Sequence, residues 1–150
     1  MNTKNNQQIL IGGALVFRDN RGKRQWLVTK QKEDGDWEIP KVTVRRGESS
    51  VRAVIRMTGE QAGITARVLE EAGRLTGGTV VNNKSIPQKL YYYLMIQRAG
   101  GGEVIGFDEF KWLEYGDAFK KITLKREKDI LKSGKEVLKE WEKTHKVRYA

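Results

Sequence analysis

The chain contains no cysteine, so neither a disulfide nor a thiolate metal site can form. It has a single histidine, His145. That argues against a histidine-based zinc site or a Ser-His-Asp triad, and its place near the C-terminus suggests a solvent-facing ring. No apolar run approaches the roughly 20 residues needed to span a bilayer. The opening "MNTKNNQQ" is polar and lacks the apolar core of a signal peptide. The expectation is a soluble cytoplasmic protein with no membrane partner. Neither internal repeats nor a low-complexity linker interrupt the 150 residues, so a single domain over 1–150 is expected, long enough for a real core. Acidic residues are in deficit, 19 against 29 basic ones, which leaves a net charge of +10 and a pI near 9.8. Such a field attracts polyanions: nucleotides, RNA, DNA or an acidic membrane surface.

What is present reads as alternating strands and helices. "QILIGGALVFRD" and "RQWLVTKQ" are strand patterns joined by the turn "NRGK", a hairpin signal. "EDGDWEIP" is a loop ended by Pro40, "KVTVRR" an extended stretch, and "GESS" a break in which Ser49 or Ser50 can cap a helix. Ser50 to Ala62 has helical spacing, with Val51, Val54, Ile55 and Thr58 near one face and Gly63 as its C-cap. "ITARVLEEAGRLTG" reads as a strand, with a helix as the alternative for its middle. "GGTVVNNKSIPQ" reads as a polar loop, and "KLYYYLMIQRA" as the strongest strand. After a "GGGE" break, "FKWLEY" is a short strand and "GDAFKKI" a helical turn. From Leu124 to about His145 a helix presents Ile130, Leu131, Gly134, Val137, Leu138 and Trp141 as an apolar stripe. The order implies an α+β fold, layered α/β/α, with helices packed on a mixed sheet.

One segment carries chemistry: "WEIPKVTVRRGESSVRAVIRMTGEQAGI", Trp37 to Ile64. It resembles the signature of the Nudix hydrolases, which reads Gly, five residues, Glu, seven residues, then Arg-Glu-apolar-x-Glu-Glu-x-Gly-apolar. Glu48, Arg56, Glu60, Gly63 and Ile64 fall at the required spacing without a gap. Four positions depart from it: Val42 stands at the first Gly, Met57 at the first helix Glu, Thr58 at the apolar position and Gln61 at the last Glu. The order of the remaining chain is similar to that of the dinucleoside polyphosphate hydrolase branch. No aromatic residue, however, lies between Ile64 and Leu90, where that branch places a base-stacking tyrosine.

The resemblance implies cleavage of a phosphoanhydride bond by water, assisted by magnesium or manganese. These hard cations take oxygen ligands. Positions 57, 60 and 61 are i, i+3 and i+4, so they share one helix face. Three glutamates there would total −3. Met57, Glu60 and Gln61 total −1, and a thioether suits magnesium poorly. Weak or absent hydrolysis is therefore expected, and the metal is Mg or Mn if the chain is active and none otherwise. Glu60 and Gln61 are the candidate metal ligands. Glu60, Glu48, Arg56 and Glu109 are the candidate catalytic set, in which an Arg56–Glu48 pair would hold the loop on the helix. Lys41, Arg45, Arg46 and Arg52 are candidate phosphate contacts, since guanidinium and ammonium groups can take over charge work from a metal. Three functions compete: a binder of a nucleotide or other phosphate-bearing small molecule with weak or no hydrolysis, an active pyrophosphohydrolase, and a basic RNA- or ribonucleoprotein-binding module.

Overall fold

The structure, a computed structural model, describes residues 8–99 and 106–145. In chain order its elements are β1 (Ile9–Asn20), β2 (Lys23–Lys30), β3 (Trp37–Glu38), β4 (Lys41–Thr43), α1 (Ser50–Glu60), β5 (Thr65–Val81), β6 (Lys84–Ala99), β7 (Glu109–Leu113), α2 (Tyr115–Lys121) and α3 (Lys125–His145). The strands form one mixed sheet in the order β3-β2-β1-β6-β5, with β4 on β1 and β7 on β2. Its centre is a parallel pair, β1 with β6, in register from Ile9 opposite Gln88 to Phe17 opposite Ile96. The remaining pairings are antiparallel. The layered α/β/α arrangement expected from the element order is the one observed.

The unbroken apolar run of β1 has a simple cause: both of its faces are covered, so both sets of alternating side chains are apolar. Leu15 and Phe17 join a cluster with Trp26, Leu94, Leu131 and Leu138 on the α2/α3 side. Ala14 and Val16 join Leu27, Val54, Met57 and Met95 on the α1 side. The glycines of β1 let neighbours approach closely. A Cβ at Gly12 would lie 2.8 Å from Val54 Cγ1, and one at Gly13 2.4 Å from the Tyr92 ring.

Ser49 is the cap of α1, its Oγ accepting from Arg52 N at 3.2 Å. The helix ends at Glu60, so Gln61 rather than Gly63 is the C-cap. Gly63 follows with φ +65° and turns the chain into β5. On α3 the expected stripe is buried apart from Val137, which is half-buried. The stripe also includes a residue that apolar periodicity cannot reveal, the buried Glu127.

The segment expected as a polar loop, "GGTVVNNKSIPQ", is instead the outer part of a long hairpin. β5 and β6 stay paired out to Val81 opposite Lys84, and Asn82 and Asn83 turn the chain with φ of 53° and 65°. Asparagine tolerates that left-handed backbone, and two such residues suit a two-residue hairpin turn. Ladder hydrogen bonds hold the strands where there is no core face to read: Val80 and Val81 are exposed. The "GGGE" break lies outside the described residues.

Candidate functional site

The site is built where the loop after β4 meets α1. Gly47 takes φ +80°, which bends the loop back on itself. Glu48 N donates to Arg45 O at 3.0 Å, and Arg45 N donates to Glu48 Oε1 at 3.0 Å. Glu48 is also gripped from the helix. Arg56 Nε donates to Glu48 Oε2 at 2.8 Å and Arg56 Nη2 to Glu48 Oε1 at 2.9 Å, a two-pronged pair, with a further bond from Nη2 to Thr43 O at 3.3 Å. The Arg56 hydrogen bonds, then the Arg45 N–H, hold the Glu48 carboxyl down at about 2. The same pair raises Arg56, and the nearby Glu60 charge adds to that. The Arg56–Glu48 clasp implied by the resemblance is present, and both oxygens of Glu48 are already engaged.

Around this clasp lies an open groove of about 860 Å³, lined by Arg45, Arg46, Arg52 and Arg56 with Glu48 and Glu60. Val51 and Ile55 supply an apolar strip along the α1 side, and Ile55 is 49% exposed. Among the described residues, Arg45, Arg46 and Arg52 make no side-chain hydrogen bond or ion pair, whereas Arg56 is committed to Glu48. The charges left over are three guanidiniums and the single exposed carboxylate of Glu60.

The helix face expected to join Met57, Glu60 and Gln61 is divided. Met57 is 0% exposed and packs into the cluster of Ala14, Val16, Leu27, Val54 and Met95. Gln61 is folded under the chain that leads into β7. Gly106 N donates to Gln61 O at 2.7 Å, and a Cβ at Gly106 would lie 2.5 Å from Gln61 Cβ. The amide oxygen Oε1 of Gln61 is buried with no hydrogen-bond partner among the described residues. Only Glu60 of the three faces the groove. The physical reason is the cost of exposing a thioether when an apolar cluster is adjacent, roughly 1.5–3 kcal/mol for such a side chain.

Two other sequence candidates lie elsewhere. Lys41 is not a groove residue: its ammonium contacts Glu38 Oε1 at 2.7 Å, Glu127 Oε2 at 2.7 Å and Ile39 O at 3.2 Å. Glu127, 1% exposed on α3, also accepts from Ile39 N at 3.0 Å and from Tyr92 Oη at 2.6 Å. Lys41 is therefore spent in a buried network on the α3 side of the sheet. Burial, then the charge of Glu127, pushes the Tyr92 phenol well above its ordinary range. Glu109 on β7 pairs with Lys30 at 3.0 Å and does not line the groove. Among the described residues, no group of three or more acidic or histidine side chains could hold a metal ion. His145 is exposed, as expected, and stacks on Trp141 with centroids 4.1 Å apart.

The family model described as NUDIX domain matches residues 11–133. Solved structures with this arrangement include the Ap4A hydrolase of C. elegans in a binary complex, 22% identical with a TM-score of 0.70, covering 88% of this chain and 98% of that one. The NUDIX domain of Shewanella oneidensis NrtR complexed with ADP ribose is 17% identical with a TM-score of 0.66, covering 87% and 88%. The MutT protein of Methanosarcina mazei is 20% identical with a TM-score of 0.64, covering 88% and 96%. At these identities the likeness is one of fold. Comparison with curated proteins gives no match.

Proposed function

The chain belongs to the NUDIX domain family, and from that premise we propose that it binds a nucleotide or other phosphate-bearing small molecule through guanidinium groups, with weak or no hydrolysis. The observation that carries this reading is the burial of Met57 at the position of the first helix glutamate. It removes a ligand from the groove and fills its place with core. Members of the family that hydrolyse phosphoanhydrides generally use magnesium or manganese, and the donors here do not fit such an ion. A thioether faces the core, an amide oxygen is buried, both Glu48 oxygens are engaged and Glu60 stands alone. Hard cations need several oxygens at once.

Arg45, Arg46 and Arg52 provide what that donor set cannot. Each guanidinium offers a planar fork of N–H donors that matches two phosphate oxygens, and it keeps its charge at any accessible pH. Three of them spread along an open groove suit a ligand with more than one phosphate. Val51 and Ile55 offer the non-phosphate part of the ligand an apolar strip.

Calorimetry with pyrophosphate, ADP-ribose and Ap4A, each with EDTA or with MnCl2, tests this. Binding that persists in EDTA and falls at least tenfold in the R45A/R46A/R52A variant is the expected result. Rapid, multiple-turnover, metal-dependent release of phosphate or nucleoside monophosphate from any of these compounds, or binding that vanishes in EDTA, would overturn the reading. E60Q should leave EDTA-resistant binding intact or stronger, because it removes the one carboxylate that repels the ligand.

A further inference from the structure

The face of the sheet opposite the groove carries a second arrangement of cations, and there each one sits over a ring. Tyr115 and Phe119 lie one turn apart on α2 with centroids 6.0 Å apart. Trp37 is tied to the far end of that helix, Trp37 N donating to Thr123 Oγ1 at 3.1 Å and Thr123 N to Trp37 O at 3.0 Å. The three half-buried rings thus form one row along α2. Lys135 Nζ stands 4.1 Å from the Tyr115 centroid and Lys128 Nζ 5.4 Å from that of Phe119. Lys121 and Lys111 stand 4.8 Å and 5.9 Å from that of Trp37, and Lys30, which is paired with Glu109, stands 5.5 Å from it.

Lys111, Lys121, Lys128 and Lys135 each lie over a ring, which Lys32, Lys84, Lys89, Lys120, Lys132 and Lys139, likewise without an ion pair among the described residues, do not. Lys23, Lys30, Lys41, Lys125 and Lys143 each have a carboxylate within ion-pair distance. Among the described residues, Lys111, Lys121, Lys128 and Lys135 have none. Acidic groups are at hand, Asp117 on α2 and Glu136 on α3, but they make no ion pair with these lysines. Four uncompensated ammoniums interleaved with three rings are the two components that non-specific single-strand binders combine: charge that tracks a backbone, and flat faces on which bases stack.

We propose that this row is a contact surface for single-stranded nucleic acid, separate from the arginine groove. From Tyr115 to Lys121 the helix rises about 9 Å. That is long enough to lie against a short stretch of one strand. An exposed ammonium over a ring is weakly held. An incoming base takes the ring face, and the displaced ammonium moves to a phosphate. A lipid surface fits less well. Among the described residues, the exposed large apolar side chain that adjoins the row is Leu124, between α2 and α3. Ile55 lies on α1, and Val80 and Val81 lie near the hairpin tip.

The test is fluorescence anisotropy of labelled oligouridylate with the full chain across a series of KCl concentrations. Each ammonium–phosphate contact on a single strand contributes about 0.7 to the slope of log affinity against log salt. The K111Q/K121Q/K128Q/K135Q variant should therefore lose about 2 to 3 of that slope. The charge-matched control K32Q/K84Q/K89Q/R98Q should keep it. F119L should lower affinity several-fold without changing the slope, since it removes a stacking face and no charge. If the fourfold variant unfolds, K111Q/K135Q, which alters two exposed side chains, should lose about half as much. Equal losses in variant and control would overturn the proposal. So would wild-type protein that does not bind at low salt, or that prefers duplex or anionic vesicles to the single strand.

Discussion

Met57→Glu restores the family residue at the first helix position, and the structure predicts that it harms the fold without making a metal site. Met57 is 0% exposed and surrounded by Ala14, Val16, Leu27, Val54, Ala62, Ile64, Met95 and Phe107. The substitution forfeits about 1.5–3 kcal/mol of apolar burial. Burying a carboxyl without a hydrogen-bond partner adds about 1–3 kcal/mol even in its neutral form. The sum, about 3–6 kcal/mol, is a large part of the roughly 5–15 kcal/mol that holds a domain of this kind together. Urea unfolding at pH 5 and pH 8 measures it. Burial raises the pKa of the introduced carboxyl in the folded state. Its folded form is therefore favoured below the ordinary glutamate pKa, near 4.3, and is penalised progressively as pH rises. The midpoint loss should accordingly be smaller at pH 5 than at pH 8. Met57→Leu, a volume-conserving exchange, should cost under about 1.5 kcal/mol. A Met57→Glu protein as stable as wild type, or one whose melting temperature rises with MnCl2, would refute the placement of this side chain in the core.

Four further outcomes follow from the same structure. The Glu48 carboxyl is held at about 2 by Arg56 and the Arg45 N–H, below the ordinary value of 4.5. Its contribution to stability is present above pH 4.5 and is lost as pH falls towards 2, so the wild-type-minus-E48Q difference in unfolding free energy should shrink across that window. Glu127→Ala leaves Ile39 N–H and the Tyr92 hydroxyl without their acceptor and removes one of the two carboxylates on Lys41. It should cost about 3–5 kcal/mol by denaturant titration, as when one side of a buried pair is removed. Gly59→Ala should stabilise by about 0.8–1 kcal/mol, because a Cβ there meets nothing within 4 Å. Gly134→Ala should destabilise, its Cβ falling 2.3 Å from Leu15 Cδ2.

Much of the fold was legible because burial leaves a periodic trace. The doubly apolar β1 and β6, the helical spacing of α1 and the stripe on α3 all record which faces are covered. The clasp of Glu48 and Arg56 was legible for a different reason: the resemblance to the Nudix signature implies it. Helical spacing also groups Met57, Glu60 and Gln61, yet the core claims the first and the loop at Gly106 covers the third. Lys41, adjacent in sequence to the site loop, was drawn away by Glu127, a residue 86 positions later. The hairpin tip was missed because Thr79, Val80 and Val81 are held by backbone pairing and carry no inward face.

By itself, then, the sequence determined the layered architecture, the register of the site loop on α1 and the surplus of positive charge. The first and last are set by periodicity and composition, and the loop register is implied by the resemblance to the family signature. The tertiary structure alone decided which cations remain uncommitted. Lys41 and Arg56 are neutralised by partners that only folding brings close. Arg45, Arg46 and Arg52, together with Lys111, Lys121, Lys128 and Lys135 over the rings of Trp37, Phe119 and Tyr115, make no ion pair with a carboxylate among the described residues. An ion pair depends on distance in space, and along a chain that crosses its own sheet seven times, distance in sequence says little about it.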